Sequence, residues 1–222
     1  PRPAHLEAAP HRDGDRMLSS LTAAPLRELT GEQIGPYAGC AITTVGSERD
    51  YRHFLPRILE LAVQEPVWIG AEPPVIAGRL KRADWETWPA DQRDAGLLVF
   101  QEAFRWAMEA HPNDADASNW LCGVATLNAS VGELLAVWRH SRSPNAALQL
   151  ASFATANFGA LANDNIFGGY WDDVGAVPRR AIAEWLVSRA TAEQLTAGLS
   201  TVAPDDRWSI EVALKTLDEA MG

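Results

Sequence analysis

Lysine, cysteine and long apolar runs are what this chain has least of. Two of its nineteen basic residues are lysine, Lys81 and Lys215; the rest are arginine. With abundant alanine, that is the codon imprint of a GC-rich genome and carries no functional signal. The two cysteines, Cys40 and Cys122, stand 82 positions apart. This spacing excludes a disulfide framework and a zinc knuckle. It leaves one long-range bridge or, as the expectation for a reducing compartment, two free thiols. No stretch of 18 apolar residues exists. The nearest, 120–138, is interrupted by Asn128, Ser130 and Glu133 and reads as two buried helices with a turn. The opening PRPAHLEAAPHRDGDR is polar and proline-rich, without the apolar core of a secretory leader. The expectation is a soluble, cytoplasmic protein with no membrane partner.

Catalytic signatures are also missing. There is no GxxxxGK[ST] or GxGxxG phosphate loop, no HExxH and no GxSxG elbow. The five histidines, His5, His11, His53, His111 and His140, are scattered, and none has a second ligand at metal spacing on its own helical face. His111 and His140 fall in last turns of helices, where a partly cationic ring suits the dipole. No catalytic residue, cofactor or metal is therefore expected.

What is present is acid, tryptophan and helical periodicity. The formal charge is −10. Residues 1–57 balance seven Arg against seven Asp/Glu, so the excess lies wholly in 58–222, with twelve basic and twenty-two acidic groups. Such a surface repels phosphate backbones, which argues against a nucleic-acid partner, and steers basic proteins toward it. Nine tryptophans are spread over the chain, most of them expected to pack helix layers.

Start signals follow one another at short intervals. Thr30–Gln33 and Ser130–Glu133 read as capping boxes, as does Thr191–Gln194. Ser47–Asp50 starts a helix whose apolar positions Tyr51, Phe54, Leu55, Ile58, Leu59 and Leu61 recur at three and four, with Pro56 inside as a kink or restart. Further starts fall at Pro73–Pro74, Pro89, Asp116 or Ala117, Ser143–Pro144, Pro178 and about Asp206. Only Ala41–Val45 resembles a strand. The expectation is an all-α fold: an extended arm over 1–16, then one helical domain over 17–222, an irregular stack of about nine or ten helices. Segments 30–62 and 191–220 resemble each other, as do WLCGVAT (120–126) and WLVSRAT (185–191). Shared helical-hairpin composition explains this, and so does an α-solenoid-like stack of helix pairs. The expected core comprises Phe54, Leu55, Ile58, Leu61, Leu97, Phe100, Phe104, Leu121, Leu134, Leu135, Phe153, Trp185 and Leu186.

Two stretches carry candidate contacts. In the first, Arg49, His53 and Arg57 lie four apart on one helical face, a candidate anion contact or a solvated face. In the second, 163–173, polar and aromatic residues surround Gly168–Gly169. Asn163, Asp164, Asn165, Tyr170, Trp171, Asp172 and Asp173 are candidate protein contacts there, Trp171 as the anchor. The competing reading turns Phe167 and Trp171 inward. A calcium loop fits poorly, since Val174 stands where a glutamate is needed.

The segments LREL (26–29), ITT-x-G (42–46), DYRHFLPRILEL (50–61) and GRLKRADWETWP (78–89) resemble a family of bacterial proteins with no known function. Its members read D-F-R-H-F-L-P-R followed by K-L-x-x-A-G-W-x-x-W-P. This chain has Tyr51 for the phenylalanine and Asp84 for the glycine. The resemblance covers about a third of the chain. It implies a shared helical fold and brings no activity, cofactor or site residue.

Two functional classes remain. One is a non-catalytic protein-interaction module, adaptor-like or immunity-like, with an acidic helical surface. The other is an enzyme whose site is assembled from dispersed side chains, such as Asp172 and Asp173 with His53 or His140.

Overall fold

The computed structural model describes residues 2–65, 72–162 and 169–221. Among these the chain is all-α, with eleven α-helices and only isolated bridges at Ala8–Val45 and Ala41–Val45 in place of a strand. No helix in them is long and apolar enough to cross a membrane. The chain divides into two compact units, 1–99 and 100–222.

The first unit holds α1 (Gly14–Thr22), α2 (Gly31–Ala38), α3 (Glu48–Gln64), α4 (Pro73–Arg82) and the start of α5 (Ala90–Glu109). The arm before α1 is tied down. Gly46 N–H donates to Glu7 O at 2.7 Å, Ala9 N–H donates to Thr44 O at 2.8 Å, and Leu6 is buried. The expected capping box of Thr30 with Gln33 forms here, and the helix start read at Ser47 proves to be a capping box with Asp50 as well. The helix opened by Thr30 ends at Ala38, and the chain then turns, with Ile42 at φ 65° and Gly46 at φ 72°. Of the expected kink or restart at Pro56 the restart does not occur, since α3 runs through it from Glu48 to Gln64. Its ring costs about 3 kcal/mol inside a helix. The buried face of Tyr51, Phe54, Leu55, Ile58, Leu59 and Leu61 outweighs that, at roughly 2 kcal/mol per large apolar side chain.

The second unit takes the rest of α5, then α6 (Ala117–Thr126), α7 (Gly132–His140), α8 (Pro144–Ala162), α9 (Ala176–Leu186), α10 (Arg189–Gly198) and α11 (Arg207–Met221). α8 is its central element and packs against α6, α9, α10 and α11. A solenoid would place each pair only against its neighbours, so this unit is helices around a hub, not a row of repeats. Aromatic rings line the hub. Trp138 stacks on Phe153 at 5.7 Å, meets Phe104 edge-on at 5.4 Å and lies 5.6 Å from Trp185. Gly198 lets α10 close onto α8, where a β-carbon would come within 2.7 Å of the Ala147 side chain.

Two expected boxes fail. α7 begins after Val131 with no side-chain cap, and α10 is capped by Ser188, whose hydroxyl accepts from Thr191 N–H. Thr191 is instead buried within α10, donating to Trp185 O at 2.7 Å. Of the expected core only Leu97 departs, being half-buried.

Candidate functional site

The second unit carries a groove of about 490 Å³ between α8, α11 and the loop after α5. Its apolar wall comes from Leu148, Ala151 and Val212. His111, Ser152, Thr155 and Asp206 supply polar groups, and Trp208 stands at its edge. Trp208 is 65% exposed and Val212 42%. On α11 the buried stripe is Ile210, Ala213 and Leu217. Trp208 lies two residues before Ile210, about 200° around the helix, so the stripe that packs α11 turns its indole outward.

Loop geometry sets His111. Buried Gln149 on α8 donates to Ala110 O at 3.0 Å and Ala115 O at 2.8 Å, and accepts from Ala117 N–H at 3.1 Å. One turn earlier, Asn145 donates to Glu109 O at 2.9 Å. Held this way, His111 accepts the Asn113 N–H at Nδ1, 3.2 Å, and turns Nε2 toward Asp206 Oδ1 at 3.8 Å. That bond assigns the proton of the neutral ring to Nε2. Asp206 sits at the start of α11, where its backbone carbonyl accepts from the Ser209 hydroxyl at 2.8 Å. Both side chains are about one third exposed.

The candidates of the 163–173 segment separate. Asn163, Asp164 and Asn165 lie outside the described residues. Tyr170 is 41% exposed and Asp172 and Asp173 are at the surface, all within a short 3-10 turn, Tyr170–Asp173. Trp171 is 4% exposed and turns inward, so it cannot be the exposed anchor. Its indole N–H donates to Asn157 Oδ1 at 2.8 Å and its ring lies 5.6 Å from Phe153. Burying a ring of this size outweighs leaving it in water.

The cationic candidates also part company. Arg57 turns back, donating to Leu29 O at 2.8 Å and to Glu60 at 2.7 Å. Arg49 lines a cleft of about 400 Å³ with Arg2, His5, Glu7 and Asp50, where carboxylates offset the cations. His53 is half-buried, and burial together with the nearby Arg2 guanidinium holds its pKa below the ordinary value. His140 places Nδ1 2.6 Å from Ala136 O of its own helix. Among the described residues no three His, Cys, Asp or Glu side chains are grouped to hold a metal ion.

Sequence reasoning missed Trp208, His111 and Asp206 as a group. The available signal was Trp208 itself, an aromatic off the three-four stripe of its helix; the convergence of the other two is purely tertiary. No family model, curated protein or solved structure matches this chain.

Proposed function

We propose that this protein is a non-catalytic interaction module that binds another protein through the groove of its second unit. The observation that carries the reading is the exposed indole of Trp208 beside Val212 and a preformed, mainly apolar groove. Tryptophan at the edge of a concave apolar surface is the residue type that most often dominates binding energy between proteins. Leaving it in water gives the free chain nothing, whereas a partner would bury on the order of 200 Å² of it. The surrounding charge favours a basic partner: residues 100–222 hold fifteen acidic and eight basic side chains. We assign the protein to the cytoplasm, where the two free, buried thiols Cys40 and Cys122 would stay reduced.

The His111–Asp206 pair favours a second reading, an enzyme built from dispersed Asp and His side chains. Against it, Nδ1 of His111 is taken by the Asn113 N–H and Nε2 lies 3.8 Å from Asp206, beyond hydrogen-bond reach, so the two do not form a hydrogen-bonded dyad. Binding is the better use of this geometry.

The test is quantitative capture with the full chain and its Trp208→Ala variant, followed by reconstitution of the enriched protein as a purified pair. The expected result is a single partner whose affinity drops at least about tenfold in the variant, the loss typical of a binding hot spot. A partner bound equally by both proteins, or turnover of a small substrate by the purified chain, would overturn the reading.

A further inference from the structure

The groove's polar groups are not spread evenly. Asp206 and Trp208 both line the groove, the carboxylate one third exposed and the indole largely exposed. A carboxylate and an open tryptophan face lining one groove are the two groups that together receive an organic cation. The ring quadrupole attracts the charge and the carboxylate neutralises it. Guanidinium suits this better than ammonium, because its plane can lie on the indole while its edge N–H groups reach the oxygens.

Near Asp206 and Trp208 in sequence the exposed charges are Asp205, Arg207 and Glu211, a net of one negative charge, and none of them lines the groove. The Asp206 carboxylate has His111 Nε2 beside it at 3.8 Å, too long for a direct hydrogen bond. Leu148, Ala151 and Val212 provide an apolar floor next to the charged end. The complementary shape is an apolar side chain followed within a residue or two by a cation.

Building on the docking reading above, we infer that the groove recognises an arginine side chain of its protein partner, the guanidinium held between the Trp208 ring and the Asp206 carboxylate and the flanking apolar residue on Leu148 and Val212. This names the partner's chemistry: a basic segment in which arginine adjoins leucine-like residues.

The experiment uses the ¹⁵N-labelled full chain and two short probes, acetyl-Leu-Arg-Leu-amide and its citrulline counterpart, which keeps the shape and removes the charge. The readout is the indole N–H resonance of Trp208, assigned by loss in Trp208→Phe. The expected result is a saturable shift with the arginine peptide, with citrulline about tenfold weaker. Asp206→Asn should narrow the difference between the two peptides to the part the Trp208 ring supplies, and an unchanged difference would overturn the role of Asp206. Raising the salt should weaken the arginine peptide alone, a control that needs no variant. Equal affinities in the wild-type chain would overturn the inference, as would no shift with either peptide. In both cases partner capture that still depends on Trp208 would leave the docking reading standing; loss of that dependence would remove the reading itself.

Discussion

Gln149 and Ala117 are joined across 32 positions by a backbone N–H that donates to the Gln149 side-chain oxygen at 3.1 Å, inside the protein. With its two donated bonds to Ala110 and Ala115, this one amide satisfies three backbone groups of the loop that carries His111. Gln149→Leu keeps the volume and strands those groups. Stability should fall by about 3 kcal/mol, a few unsatisfied buried groups partly relaxed by water. Urea titration measures it. A loss below about 1 kcal/mol would show that the loop finds other partners.

Trp171 supplies the second prediction. Its ring is buried beside Phe153 and its N–H is held by Asn157. Trp171→Ala should therefore cost about 3–5 kcal/mol. Trp208→Ala, at an exposed ring, should change stability by less than about 0.5 kcal/mol. Two tryptophan truncations with opposite outcomes in one unit separate a packing role from a surface one. Similar losses at both positions would contradict the burial pattern.

These two tryptophans also mark what was legible in the sequence. Helix type followed from periodicity, and the Phe54, Ile58 and Leu61 stripe is buried as its spacing required. Caps were read correctly at Thr30 and Ser47, but not at Ser130, since α7 starts one residue later with no side-chain cap. At α10 the Thr191 pattern was equally good, but Ser188 captured the helix start three residues earlier, and the Trp185 carbonyl took the Thr191 hydroxyl. Local chemistry could not rank those two. The groove was harder still. His111 and Asp206 are 95 positions apart, and only the stapling of the 110–117 loop to α8 faces one with the other.

Asp84 yields a stability prediction of opposite sign. It occupies the left-handed region at φ 45° and ψ 41°, just before the 3-10 turn Trp85–Thr87. A side chain there costs roughly 1 kcal/mol, less for aspartate than for most residues. Asp84→Gly should raise stability by roughly 0.5 kcal/mol after the added freedom of the unfolded chain is deducted. A fall in the urea midpoint would mean that the aspartate side chain contributes more than its strain costs.

His53 gives a pH dependence. Burial, reinforced by the Arg2 guanidinium, lowers its pKa below the ordinary 6.5, and Asp50 only partly opposes this. The unfolded chain therefore binds a proton at this position more readily than the folded one. Between 6.5 and the lower folded value, falling pH shifts the balance toward unfolding; above 6.5 both states are neutral and the contribution is complete. His53→Gln removes the titration and keeps a polar side chain of similar reach. Urea midpoints of both proteins should be compared at about pH 7.5 and about pH 5. The wild-type chain should lose more stability than the variant over that interval. Equal losses would show that His53 titrates alike in both states, and a larger loss in the variant would mean that the carboxylate of Asp50 prevails over burial.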